Sequence, residues 1–174
     1  MCRTLKELEA YKLALRQSKR VLKLPYFKNA KINFHQLAKY VLAIAEVESN
    51  LNTCADNKNS TAYGLMQILN GSRQDYEKLF KLAPTKSQKA LASADYSMFL
   101  GAGILAYQQK RYNNWNKAII AYNQGNAESA AMQRGKGYLA KVSSAYRGND
   151  FALLDSQAGS DLALNESTFY QEFP

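Results

Sequence analysis

From Asn33 onward, Phe34, Leu37, Val41 and Ile44 recur at helical spacing, and the stripe they form, roughly 100° wide, runs on into a carboxylate, Glu48. A helix that carries an acid on its apolar stripe must pack that stripe against neighbours in a helical domain. Its acid either reaches the rim of the stripe or marks a polar site within the fold. Asn33 is the natural N-cap. Glu46 points about 160° away from Glu48 and is expected to be an ordinary solvated acid. Only three prolines (Pro25, Pro84, Pro174) interrupt the chain, and alternating Val/Ile/Thr runs are absent, which predicts an all-α domain. An amphipathic helix is expected over 4–23, with the stripe Leu8, Tyr11, Leu15, Leu22. Others are expected near 72–82, 86–110, 114–123, 126–134 and 137–147. Residues 51–60 read as a polar loop and 62–69 as a short turn or helix.

With 174 residues, 47% of them apolar, the chain can fill one core, not two. Three regions follow: a basic amino-terminal helix (1–31), a helical domain (32–147) and an acidic tail (148–174), expected to be mobile unless Phe151, Phe169, Tyr170 or Phe173 anchors it. The net charge of +9 is unevenly spread: residues 1–31 carry nine Lys/Arg against two Glu, and the tail carries five acids and no base. Such a surface suits a polyanion, whether nucleic acid, anionic lipid or wall polymer. No apolar run approaches the roughly 20 residues of a membrane span. Two cysteines, Cys2 and Cys54, cannot build a disulfide framework, and with His35 alone there is no zinc-type spacing, so no structural metal is expected. The charged start lacks the apolar core of a secretory signal, so delivery by other means is expected if the target lies outside the cell.

Position alone marks Glu48 as a candidate general acid, because burial disfavours its charged form. Around it, AIAEVESN (43–50), AYGLMQI (62–68), SADYSMFLGAGILAY (93–107), AYNQG (121–125) and YLAKV (138–142) occur in order. Together they resemble the soluble lytic transglycosylases of the goose-type lysozyme-like class, over residues 34–146. The resemblance implies a lysozyme-like all-α domain with an added amino-terminal amphipathic helix. It places the catalytic acid/base at Glu48 and assigns the Ser49 that follows it, with Asn57 and Asn123, to substrate binding. It gives Gly64, Leu65, Met66 and Gln67 to the cleft wall that receives the sugar. Tyr122 and Asn123 match the Ala-Tyr-Asn motif, whose tyrosine points its hydroxyl at the acid, and Tyr138 matches a late tyrosine lining the groove. Trp115, Ala118, Ile119 and Tyr122 share one helix face, so the Tyr122 phenol is expected to be buried and to need a partner. For Met66 and Tyr138, plain core packing is an equal reading. Three departures stand out. Asn57 replaces a serine nine positions after the acid, with Asn59 or Ser60 as substitutes for its role. The 55–64 loop is one residue longer, with Thr61 where a glycine is usual. Ser97 and Met98 replace Asn-Ile, on a helix expected to serve packing.

Glycosidases normally use two carboxylates, and the only nearby candidate for a second is Asp56. A single acid suffices if the substrate participates, so the resemblance implies cleavage of the MurNAc-GlcNAc bond of peptidoglycan with a 1,6-anhydro product and no cofactor. The alternatives are a hydrolytic muramidase completed by Asp56 or a held water, and a non-enzymatic nucleic-acid-binding or assembly protein working through its basic helix. Peptidoglycan glycan strands are the expected partner, with other virion or secretion-machine proteins. The expected setting is a phage particle opening the host wall during genome entry, or a bacterial secretion system. Deleting residues 1–25 would spare cleavage of short glycans if the basic helix serves only electrostatics, and would destabilise the protein if it serves packing.

Overall fold

The computed structural model describes residues 1–164 and builds them into eight α-helices: α1 (Glu7–Val21), α2 (Phe34–Ser49), α3 (Asn70–Leu79), α4 (Ala94–Tyr112), α5 (Trp115–Gln124), α6 (Ser129–Arg134), α7 (Lys136–Gly148) and α8 (Phe151–Leu164). Helix α2 begins where expected, with the Asn33 side-chain oxygen accepting the Gln36 amide at 3.0 Å. Burial along it runs beyond one stripe. Leu37, Ala38 and all of Val41 to Ala45 are inaccessible, because α1, α4 and α7 pack around it. Helix α4 is buried nearly all round, from Ser97 to Ala106 apart from Phe99, between α1, α2 and α5. It starts at Ala94 and not at 86. Ser93 accepts the Tyr96 amide and caps it, leaving residues 88–92 as a 3-10 turn.

Helix α1 is a wall of the core. Ala10, Tyr11, Ala14, Leu15 and Val21 are wholly buried against α2, α4 and α8, while Leu8 and Leu22 flank them half-buried. Basic residues keep to the outer face, where Lys19 lies 5.5 Å above the Phe34 ring and Arg16 pairs with Asp95. Of the tail expected to be mobile, residues 151–164 form helix α8. Its anchor is Phe151, between the Tyr11 and Tyr146 rings at 5.6 and 5.0 Å. Leu154 and Ala158 are buried, and the Tyr11 hydroxyl donates to Asp155. Phe169, Tyr170 and Phe173 lie outside the described residues. Glu46 is not the solvated acid expected. It is half-buried at the α2–α7 contact, where it accepts the Asn149 amide at 2.9 Å, and burial raises its carboxyl above the ordinary value.

The two cysteines, too few for a framework, form one cross-link, Cys2–Cys54, closing a separation of 52 residues. A loop of that size contributes about 4 kcal/mol by the chain-entropy argument. The bond sits beside a short antiparallel contact: Leu5 donates to the Leu51 carbonyl, Thr53 to Arg3, and Arg3 to the Thr53 hydroxyl. The amino terminus is thus stapled to the turn that follows Glu48. That turn needs holding, because Asn50 and Leu51 both have positive φ (49° and 61°), and a branched side chain such as leucine rarely adopts this region.

Candidate active site

A cleft of about 380 Å³ opens between the carboxyl end of α2, the 57–72 segment, α4 and the end of α5. Glu48 is the only acidic side chain lining it among the described residues. Being the last-but-one residue of α2, it projects into the cleft from a helix whose preceding turns are fixed in the core. Burial raises its carboxyl above the ordinary carboxylate value, partly opposed by a hydrogen bond from Tyr138. Asp56, the expected second acid, is exposed and lines a separate groove with Tyr63 and Arg73.

The two tyrosines exchange the positions expected of them. Tyr138, from α7, stands behind the acid and donates its hydroxyl to Glu48 Oε1 at 2.7 Å. Tyr122, from α5, lines the cleft but donates to the Met66 carbonyl at 2.7 Å. Its phenol is partnered as its burial requires, though not by the carboxyl. Burial, reinforced by the nearby Glu48 charge, pushes both phenols well above their usual value, so both remain hydrogen-bond donors. The shift in roles is geometric: Tyr122 tethers the 64–67 wall and Tyr138 orients the acid.

The 64–67 segment, of which only Gln67 lines the cleft, is a turn, one of the two forms expected of it. Isolated bridges join Tyr63 to Asp56 and to Ile68, and Gly64 and Gln67 have positive φ of 80° and 47°. At Gly64 a side chain is barred on a second count, since a Cβ would lie 2.3 Å from the Leu91 carbonyl oxygen. Gln67 reaches the cleft, with its amide donating to the Ala55 and Gly64 carbonyls at 2.9 and 3.1 Å. Leu65 and Met66 turn inward and are fully buried; Met66 packs on Gly101, where any Cβ would meet it at 2.6 Å. For Met66 the core reading is the one the structure adopts. Ser49 also stays structural, donating to the Ala45 carbonyl at 3.0 Å. Asn57 and Asn123 both line the cleft and are exposed, Asn57 accepting the Asn59 amide within its own loop.

Several supports carried no sequence signal. Ser97, expected only to pack, accepts the Met66 amide at 3.2 Å from inside the core and so braces the wall. Gln88 donates to the Thr61 and Ile68 carbonyls from the other side. Gln88 is positioned in turn by the buried Arg73–Glu77 pair, which also gathers Thr85 and Tyr96. Burial alone would raise the Glu77 carboxyl, but the hydrogen bonds from Thr85 and Tyr96 with the Arg73 charge lower it below the ordinary value, so the pair stays ionised. Leu69, Tyr76, Ile104 and Gln108 are among the cleft residues that were not expected at the site. Gln108 directly follows the apolar run of α4 and is followed by Gln109 and Lys110, so its sequence reads as the start of a polar helix end. Among the described residues no His, Cys, Asp and Glu side chains group as metal ligands would, and no helix is long and apolar enough to cross a membrane.

The two tyrosines predict separable phenotypes. Tyr138→Phe should lower kcat about tenfold, the loss of one hydrogen bond to a charged group. It should also move the alkaline limb of the rate profile upward, because the lost bond favoured the ionised carboxylate. Tyr122→Phe should act mainly on KM, by freeing the 64–67 wall. Steady-state kinetics across pH distinguish the two, and a Tyr122→Phe profile shifted like that of Tyr138→Phe would contradict the assignment.

Comparison with known proteins found no significant match among curated proteins or solved structures. The family described as "Transglycosylase SLT domain" does match, over residues 25–151. The match takes in α2 to α7 and leaves α1 before it, although α1 is built into the same core. An all-α chain matched over well more than half its length, with a half-buried carboxyl lining its cleft, belongs to the transglycosylase SLT family and is a peptidoglycan lytic transglycosylase, a lyase acting on glycan.

Proposed function

We propose that Glu48 alone performs both proton transfers in cleavage of the β-1,4 bond between MurNAc and GlcNAc, leaving a 1,6-anhydro-MurNAc end. The observation that carries this reading is the solitary acid: Glu48 is the one carboxyl lining the cleft among the described residues, and its pKa is raised. Protonated Glu48 donates to the glycosidic oxygen as the C1–O bond breaks, and the MurNAc acetamido group shares the positive charge at C1. The Glu48 carboxylate then takes the proton of the C6 hydroxyl of the same sugar as that oxygen bonds to C1. Every atom of the substrate is kept and no water is consumed. Tyr138 orients the carboxyl throughout. Gln67, Asn57, Tyr122 and Asn123 along the cleft hold the sugars, and the Gly64–Met66 turn, its Gly64 and Met66 groups already paired, keeps Gln67 in place.

Mass analysis of muropeptides released from purified walls tests the product. Anhydro ends, lighter by one water than reducing ends, are expected, and reducing MurNAc ends would establish a muramidase instead. We also propose that the enzyme acts outside the reducing cytosol, at the host wall or periplasm, carried by a phage particle at genome entry. The Cys2–Cys54 bond supports the compartment, since disulfides persist in oxidising surroundings. The net charge of +9 suits an anionic wall.

A further inference from the structure

Gln108 is a polar amide that packing does not explain. It lies on α4 just after the buried run Gly101–Ala106, is itself 2% exposed and forms part of the cleft wall. Its Nε2 donates to the Tyr76 hydroxyl oxygen at 3.3 Å, while its buried Oε1 has no hydrogen-bond partner among the described residues. An unpaired buried carbonyl oxygen costs stability that leucine, of similar size, would not. Tyr76 accepts from Gln108 and so retains its own O–H as a donor; burial pushes that phenol up to about 12, keeping it protonated. The pair therefore presents one donor and one acceptor side by side, and turning the amide over preserves that count. A single alcohol hydroxyl satisfies both, accepting from one and donating to the other. Ile104 and the half-exposed Leu69 supply apolar surface in the same cleft for the C–H face of a sugar ring.

We propose that Tyr76 and Gln108 form a subsite for one free sugar hydroxyl, the C3 hydroxyl of a GlcNAc residue, and thereby set the register of the strand. In peptidoglycan this position separates the alternating sugars, because C3 of MurNAc is etherified and its oxygen can no longer donate. A MurNAc placed here would leave Gln108 Oε1 unpaired and force its ether substituent against the wall. The subsite rests on the glycan-cleaving reading above, and sets which bonds are presented to Glu48.

The test uses Gln108→Leu and Tyr76→Phe, each also combined with Glu48→Gln for binding. The probes are a GlcNAc tetramer and its 3-deoxy and 6-deoxy counterparts, followed by calorimetry. Gln108→Leu should melt a few degrees higher, since an unpaired buried oxygen is removed. It should nonetheless bind the tetramer about tenfold more weakly, and raise KM on wall glycans with little change in kcat. The 3-deoxy tetramer should bind the parent and Gln108→Leu alike, while the 6-deoxy tetramer keeps the difference. Tyr76→Phe should reproduce the binding loss. Unchanged tetramer binding in both variants, with wall cleavage intact, would overturn the subsite alone. Sensitivity to the 6-deoxy but not the 3-deoxy change would overturn its assignment to C3. A wild-type protein that neither binds the tetramer nor releases muropeptides would overturn the subsite together with the reading beneath it.

Discussion

Glu48→Gln is expected to reduce release of muropeptides from purified walls by a factor of about 10² or more, while the helical fold persists. The amide fills the same volume and can still accept the Tyr138 hydroxyl, but it has no proton to give the leaving oxygen. Thermal stability should move in the opposite direction to activity. Burial raises the folded-state pKa of Glu48, so between the unfolded and folded pKa values the native protein binds the extra proton. Stability therefore falls as pH rises through that window, and above it the wild type carries the full cost of a buried charge. The variant should melt higher than wild type at neutral pH and alike in acid, which melting curves at several pH values would reveal. The same pKa places the alkaline limb of the wild-type rate above that of an ordinary carboxylate, activity being lost as Glu48 ionises. A variant retaining more than about a hundredth of wild-type activity would remove Glu48 as the acid.

Removal of residues 1–25 should prevent folding outright. Of the two outcomes open from the sequence, electrostatic or structural, the buried surface of α1 favours the second: Tyr11, Leu15 and Val21 have no exposure, and their loss would uncover α2, α4 and α8 at once. Deleting one large core side chain typically costs 2–5 kcal/mol. Losing several exceeds the 5–15 kcal/mol by which domains are stable. The cut also removes Cys2 and the backbone bonds of Arg3 and Leu5, releasing the left-handed turn after Glu48. Circular dichroism and gel filtration of the truncated protein would show the collapse. A folded, glycan-cleaving truncation with only its wall binding weakened would restore the electrostatic role. Reduction of Cys2–Cys54 is a milder form of the same lesion, since α1 stays in place.

Periodicity and caps made much of this legible in advance. Asn33 as an N-cap, the Phe34–Glu48 stripe, the shared face of Ala118, Ile119 and Tyr122, and the order of the motifs all follow from spacing along single helices, and the acid emerged in the cleft for that reason. Boundaries drifted where a local cap competed with hydrophobic content, as at Ser93. At 62–69 the sequence left turn and helix open, because two positive-φ residues and the bridges of Tyr63 to Asp56 and Ile68 leave no periodic mark.

By itself, then, the sequence determined the helical class, the family, and the carboxylate at the end of the α2 apolar stripe. Tertiary structure alone decided which tyrosine meets it. Tyr138 lies 90 residues from Glu48 and Tyr122 lies 56 from Met66, and a hydroxyl takes whichever acceptor packing brings within about 3 Å of it. The pairing of Cys2 with Cys54, the burial of Glu46 at α7, the inward turn of Met66 and the place of α1 in the core are decisions of the same kind. A helical pattern records which face of a segment is apolar, since that depends on neighbours three and four residues away. It does not record what that face is packed against, which is set by how all the helices close on one another.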